Sequence, residues 1–368
     1  MRSHATKLAL MAGAAFTAAA FSPAAHAAEP LDVVATFSIL GDMTEVVGGD
    51  RVSVTTLVGP GGDLHVFQPT PRQAGALADA DVVVMNGLAL EGWLERLIEA
   101  ADYRGPIIEA AHDVTPIHAG EDAHEHDAHH AGAGHAEADH EDARPDHAEA
   151  GEHEDHDADE PSGDERHAAP DDDHAEHAEA DHDEHGHHHH GVYDPHAWQD
   201  IANAVLYVNA IADGLSAADP EGAETYHANA AAYVAELEAL DAEAKRAFTA
   251  VPVDKRTVLT NHDAFAYLAQ AYDLEFVAPQ GLSTEAEPSA RDVADLIRQI
   301  REDGIDAVFL ESVADNRLVE QIAAETGIRV GGELYSDALS GPDGEGATYL
   351  EMMRHNIETL AGALGSGV

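Results

Sequence analysis

The sequence predicts an α/β protein built as two similar halves, each with four parallel strands alternating with helices, joined by a long helix. Two observations carry this. Short runs of branched apolar residues alternate with helical patterns over residues 31–110, and the same alternation returns over residues 257–364. Between them, the stretch from Gly222 to Phe248 is rich in Ala and Glu, with no Pro and no internal Gly. Strands alternating with helices build parallel sheets with right-handed crossovers. A helix of ~27 residues is ~40 Å long, too long for a crossover and long enough to be a spine between two lobes.

In chain order, Arg2 and Lys7 form a basic start and Leu8 to Phe21 an apolar run. Ala25-His26-Ala27 then offers small residues at the two positions that signal peptidase reads. This predicts a signal peptide over 1–27, because the run is shorter than the ~20 residues of a membrane span. The N-terminal lobe is expected over 28–221, with strands at Leu31–Phe37, Arg51–Val58, Asp81–Asn86 and Pro106–Ala110. Its helices are expected at Ile39–Val47, Pro71–Leu77 and Leu90–Ala101, and a further helical stretch runs from His196 to Leu215. The linking helix is placed at 222–248. The C-terminal lobe, 249–368, repeats the scheme with strands at Thr257–Thr260, Leu274–Ala278, Ala307–Glu311 and Arg329–Leu334. Helices are expected there at Ala264–Tyr272, Ala290–Asp303, Asn316–Thr326 and Ala347–Leu364. Beyond the leader, no stretch reads as apolar enough to cross a bilayer.

Asp plus Glu number 71 against 18 Lys plus Arg, a formal net charge of -53. Nucleic-acid binding and docking on an anionic membrane are excluded, since both need clustered Lys and Arg. The absence of Cys excludes disulfide frameworks, thiolate zinc sites and cysteine nucleophiles. With the leader, it suits export to an oxidising periplasm. Of 27 His, 19 fall within residues 118–191, beside 26 Asp or Glu and no Val, Leu, Ile, Phe, Met, Trp or Tyr. Such a stretch cannot offset its ordering entropy, so it reads as a disordered insertion in the first lobe. Its imidazoles and carboxylates are donors that divalent transition metals prefer. They recur as HxH, HH and, at His187, His188, His189 and His190, HHHH, which predicts weak accessory metal capture.

Ligands of open α/β sheets gather beyond the carboxyl ends of the strands. His65 follows the second expected strand through Gly59-Pro60-Gly61-Gly62-Asp63, His262 follows Thr257–Thr260, and Asp337 follows Arg329–Leu334. His196 opens a helical stretch after Asp194-Pro195. All four are expected to face the crevice between the lobes, where three imidazoles and one carboxylate make a complete tetrahedral set for Zn²⁺. Asp63, Asp194 and Glu311 are candidates to orient those imidazoles, because a ligating His usually donates its other N–H to a carboxylate or carbonyl. Phe67 and Trp198 are expected to wall the site. His112, His227 and His355 have nothing converging on them and read as surface or capping residues. No HExxH occurs, and four protein ligands leave no position for a catalytic water.

Five segments resemble the metal-binding solute-binding proteins of ABC importers, the cluster that includes ZnuA-type zinc binders. They are Gly62-Asp63-Leu64-His65-Val66-Phe67-Gln68-Pro69-Thr70-Pro71, Asn86-Gly87-Leu88-Ala89-Leu90-Glu91-Gly92-Trp93, Asp194-Pro195-His196-Ala197-Trp198, Asn261-His262-Asp263-Ala264-Phe265-Ala266-Tyr267 and Leu334-Tyr335-Ser336-Asp337-Ala338-Leu339-Ser340. The resemblance runs from Leu31 to Leu364 in the family's order. It implies two (βα)4 lobes joined by a rigid helix, the ion between them, and a His-rich acidic loop before the second ligand as in zinc members. It also implies an inner-membrane permease with its cytoplasmic ATPase as partner, with a periplasmic zinc chaperone as a further candidate, and a monomer that performs no catalysis. Manganese-preferring relatives often carry Glu where this chain has His262, so the nitrogen-rich set here points to Zn²⁺, with Mn²⁺ or a periplasmic zinc buffer as alternatives.

Overall fold

Each half of the chain folds into a four-stranded, all-parallel sheet with the same strand order. The computed structural model describes residues 29–118, 193–285, 288–305 and 307–365. The expected signal peptide and residues 119–191, His187 to His190 included, lie outside the described residues. In the first sheet β1 (Leu31–Phe37), β2 (Val52–Val58), β3 (Val82–Met85) and β4 (Ile107–Glu109) run in the order β2-β1-β3-β4. In the second, β5 (Thr257–Leu259), β6 (Glu275–Val277), β7 (Ala307–Glu311) and β8 (Arg329–Leu334) run β6-β5-β7-β8. Central strands such as β3, Val82-Val83-Val84-Met85, are apolar without alternation because helices cover both faces of a parallel sheet. Val34 of β1 sits between Thr55 of β2 and Val83 of β3.

The helices are α1 (Ser38–Gly48), α2 (Pro71–Ala78), α3 (Leu94–Ala101), α4 (Ile201–Ala218), α5 (Ala223–Thr249), α6 (Ala266–Tyr272), α7 (Ala290–Asp303), α8 (Arg317–Thr326) and α9 (Tyr349–Gly365). Local chemistry sets several starts. Thr70 and Gln73 form a capping box ahead of α2, with Pro71 at its first turn. Ser289 and Asp292 form another for α7, which Gly304 closes in a left-handed conformation. Two expectations are corrected. The helix expected from Leu90 begins only at Leu94, because Gly87, Leu88 and Ala89 take φ of 90°, 53° and 61° and form a left-handed loop. The stretch from His196 splits into a 3-10 turn at Ala197–Gln199 and α4, whose first turn is capped by Asp200 accepting the Ala202 N–H at 2.8 Å.

Helix α5 buries Tyr226, Ala230, Tyr233, Leu237, Leu240, Ala244 and Phe248, a three-four spacing that makes one apolar stripe. That stripe packs on α1 and α4 of the first half and on α6 and α9 of the second. One apolar cluster therefore runs from the first sheet through α4 and α5 to α6 and α9, and a smaller one lies between the second sheet, α7 and α8. By length and composition α4 could cross a membrane, contrary to the expectation that no such stretch follows the leader. Its Ile201, Tyr207, Val208, Ile211 and Leu215 are instead buried in this core.

Candidate metal centre

The carboxyl ends of both sheets converge on one buried cluster. A Gly-rich turn after β2 carries His65, a one-residue step after β5 leads into Asn261 and His262, and the loop after β8 carries Asp337. His196 enters just ahead of the 3-10 turn. The donor atoms of these four lie within 4.8 Å of one another. The three ring centroids form a near-equilateral triangle with edges of 5.4, 5.4 and 5.7 Å. His65 Nε2 is 3.3 Å from His196 Nε2 and 3.4 Å from Asp337 Oδ2. His262 Nε2 is 3.2 Å from Asp337 Oδ2, and His196 Nε2 is 3.5 Å from Asp337 Oδ1. Donors bound to one tetrahedral ion at about 2.0–2.1 Å stand about 3.3 Å apart, so the spacing fits a small divalent cation.

The electrostatics ask for that cation. Asp337 is fully buried, and neither of its oxygens accepts an aligned hydrogen bond. A buried carboxylate left so is costly unless a positive charge compensates it. Burial pushes the Asp337 carboxyl up, but the facing imidazoles, His262 foremost with His65 and His196, outweigh it and hold it well below the usual carboxylate range. Burial likewise pulls the His262 imidazole down, yet Glu311 and Asp337 together hold it well above its ordinary value.

Two of the three expected orienting carboxylates face ring nitrogens. Asp194 Oδ1 lies 2.7 Å from His196 Nδ1, and Glu311 Oε2 lies 2.6 Å from His262 Nδ1. The other oxygen of Glu311 accepts the backbone N–H groups of Asn261 and His262 at 2.7 and 2.9 Å, locking the turn that carries His262. Asp63 is a correction: it accepts the backbone N–H of His65 at 2.9 Å and the Thr284 hydroxyl at 2.7 Å, so it shapes the loop and not the ring. Trp198 packs on the His196 ring at 5.3 Å, whereas Phe67 packs on Trp93 at 4.8 Å, one step out from the ligands. His112 pairs with Asp113, His227 faces Ser216 and Asp213, and His355 lies beside Glu333, all away from the centre.

The sequence reading missed what holds Asp337. Its loop belongs to the second half but hangs from the first. Ser38 Oγ accepts the Leu339 N–H at 3.0 Å, and Leu339 O accepts the Gly61 N–H at 2.9 Å. Trp198 Nε1 and Gln199 Nε2 donate to Ser336 O at 2.9 and 2.7 Å. Also missed was the buried Glu91, which accepts the Thr36 hydroxyl at 2.7 Å and the Asn86 N–H at 2.6 Å and so fixes the left-handed loop. Burial raises its carboxyl above the usual range, against those hydrogen bonds. Asn86 in turn donates to Pro195 O at 3.0 Å, next to His196. His118, counted with the insertion by composition, pairs with Tyr193 in an antiparallel bridge.

Residues 33–363 match the family described as zinc-uptake complex component A, periplasmic. The chain is 30% identical over 338 residues to the manganese-binding lipoprotein MntA of Halalkalibacterium halodurans, covering 91% of this chain and 89% of that one. It is 28% identical over 368 residues to the iron-binding protein YfeA of Yersinia pestis, covering 97% of each. Among solved structures, it is similar to a manganese-bound periplasmic metal binding protein from Candidatus Liberibacter asiaticus. The TM-score there is 0.67 at 26% identity, covering 91% of this chain and 99% of that one.

Proposed function

The chain belongs to the zinc-uptake component A family, and on that premise we propose that it is the periplasmic, zinc-capturing component of an ABC importer. It takes a metal ion as cargo and hands it to a membrane permease driven by an ATPase. The carrying observation is the set of three imidazoles and one unsatisfied buried carboxylate at tetrahedral spacing. Three nitrogens and one oxygen suit Zn²⁺ better than Mn²⁺, which prefers carboxylate, carbonyl and water. Four protein donors close the tetrahedron, so the site reads as one for holding an ion and not for activating water on it. All four donors come from a single chain, so a monomer suffices.

A manganese or iron reading is favoured by one feature. His196 faces Oδ1 of Asp337 while His65 and His262 face Oδ2, so the carboxylate can bind through both oxygens and raise the coordination number. Two measurements test the proposal. Elemental analysis of the protein isolated from the periplasm of its own host should find zinc; manganese or iron in its place overturns the choice of metal. Deleting residues 119–191 should remove weak sites and leave one tight site; loss of the tight site overturns the ligand set.

A further inference from the structure

His196, His262 and Asp337 have no exposed side-chain surface, while His65 keeps 7%. His65 also lines a cavity of about 620 Å³. A cation with six waters needs only about 200 Å³, taking about 30 Å³ for each water, so the cavity is the size of an organic-ligand site. Its walls mix apolar and polar groups: Phe67, Leu88 and Trp93 from the first half and Leu282 from the second, beside Gln68 and Ser283. Leu88 takes a left-handed conformation that non-glycine residues rarely keep, and the buried carboxylate of Glu91 holds the loop in place. Two charges complete the lining, Arg96 from the first half and Glu285 from the second. Both are exposed, and neither forms an ion pair among the described residues.

We propose that this cavity is a vestibule that receives the metal as a complex with an amino-acid-type chelator. One cation and one carboxylate, contributed by the two halves, match a carboxylate oxygen and a metal-bound amine N–H, and the aromatic side chains take the chelator's side chain. A polyanionic chelator would be repelled by a chain of net charge -53, whereas a neutral amino-acid complex is not. The neutral complex pairs the divalent ion with two amino-acid anions, and from the vestibule the bonds between the metal and the nitrogens and oxygens of both break as bonds to the imidazoles and Asp337 form. Each of the two freed amino-acid anions takes a proton from solvent and leaves as a zwitterion. This inference rests on the metal-binding reading above.

Stopped-flow Trp fluorescence tests it, with the apo protein taking Zn²⁺ from its L-histidine complex or from a non-coordinating buffer. Uptake from the complex should saturate with its concentration. Arg96→Gln and Glu285→Gln should each slow that uptake roughly fivefold, leaving uptake of the aqua ion and the equilibrium affinity within about twofold. Non-saturating uptake, or variants that act equally on both sources or on neither, overturns the vestibule, including where the cavity serves a protein partner. Failure of the unaltered protein to bind Zn²⁺ tightly at equilibrium overturns the metal-binding reading as well, so the two failures are told apart.

Discussion

Asp63-Leu64-His65 and Asp194-Pro195-His196 share one spacing and part ways in three dimensions. Each Asp accepts the backbone N–H of the His two residues on, at 2.9 and 2.8 Å. This is a local Asx turn, available wherever Asp precedes a turn. In the second segment the same Oδ1 also meets the imidazole Nδ1 at 2.7 Å, with Asp194 only 1% exposed. In the first, the remaining oxygen turns away to Thr284, in the half-exposed rim of the crevice. His196 is thus a candidate ligand whose ring is set in advance, as that of His262 is by Glu311. His65 has its main chain placed and its ring at the edge of the cavity.

The largest test of this contrast removes the rings. Tight zinc sites hold about 10–16 kcal/mol, or about 3–4 kcal/mol per ligand, so His196→Ala should weaken zinc binding about a thousandfold. His65→Ala should cost closer to a hundredfold, because water reaches its position and can replace it on the ion. Competition with a chromophoric chelator measures both, and equal losses would break the contrast. Next come the carboxylates. Asp194→Asn and Glu311→Gln should each lower affinity about 10–100-fold, and Asp63→Asn by no more than about threefold, since only the first two touch a ligand ring. A large effect at Asp63 would mean that loop placement matters as much as ring orientation.

Proton competition sharpens the same point. Glu311 and Asp337 hold His262 protonated above the ordinary imidazole range, and the metal must displace that proton. Zinc affinity should therefore keep rising through neutral pH, and calorimetry in buffers of different ionisation enthalpy at pH 7 should detect proton release that Glu311→Gln reduces. In the metal-free protein, the raised His262 value contributes stability that is complete below the ordinary imidazole value and lost as pH rises through the raised one. The lowered Asp337 value contributes stability that is complete above the ordinary carboxylate value and lost as pH falls through the lowered one. The zinc-induced rise in melting temperature should consequently grow from pH 6 to 8.

A separate effect, away from the cluster, concerns a buried carboxyl with no imidazole. Burial raises Asp42 to about 6, against the Tyr349 N–H it accepts at 2.9 Å. Folding binds its proton more tightly, so stability falls as pH climbs from the ordinary carboxylate value to about 6. Asp42→Asn should remove that slope and stabilise the protein by about 1–3 kcal/mol at pH 7, read from denaturant titrations at pH 4 and 7. An unchanged slope would place the titration elsewhere.

Much of this was legible because the signals are local. Four strands per half announce themselves as apolar runs, and His65, His262 and Asp337 each follow the carboxyl end of one. The stretch from Leu90 misled for the same reason. Its apolar spacing continues that of α3, and nothing nearby reveals that Glu91 turns inward to Thr36, 55 residues away. Asp337 was found by its place after β8, but its support comes from Ser38, 301 residues from Leu339.

By itself, then, the sequence determined the alternation that makes two parallel sheets, the spine between them and the donor types available at their carboxyl ends. Only the tertiary structure decided which carboxylates face which imidazoles, which candidate ligand keeps an open edge, and which buried carboxylate is left without an aligned hydrogen-bond donor. Periodicity and turn chemistry act over a few residues, whereas ring orientation and desolvation are set by whatever the fold packs against the site: Asp194 lies two residues from His196, but Glu311 lies 49 from His262 and Ser38 lies 301 from Leu339.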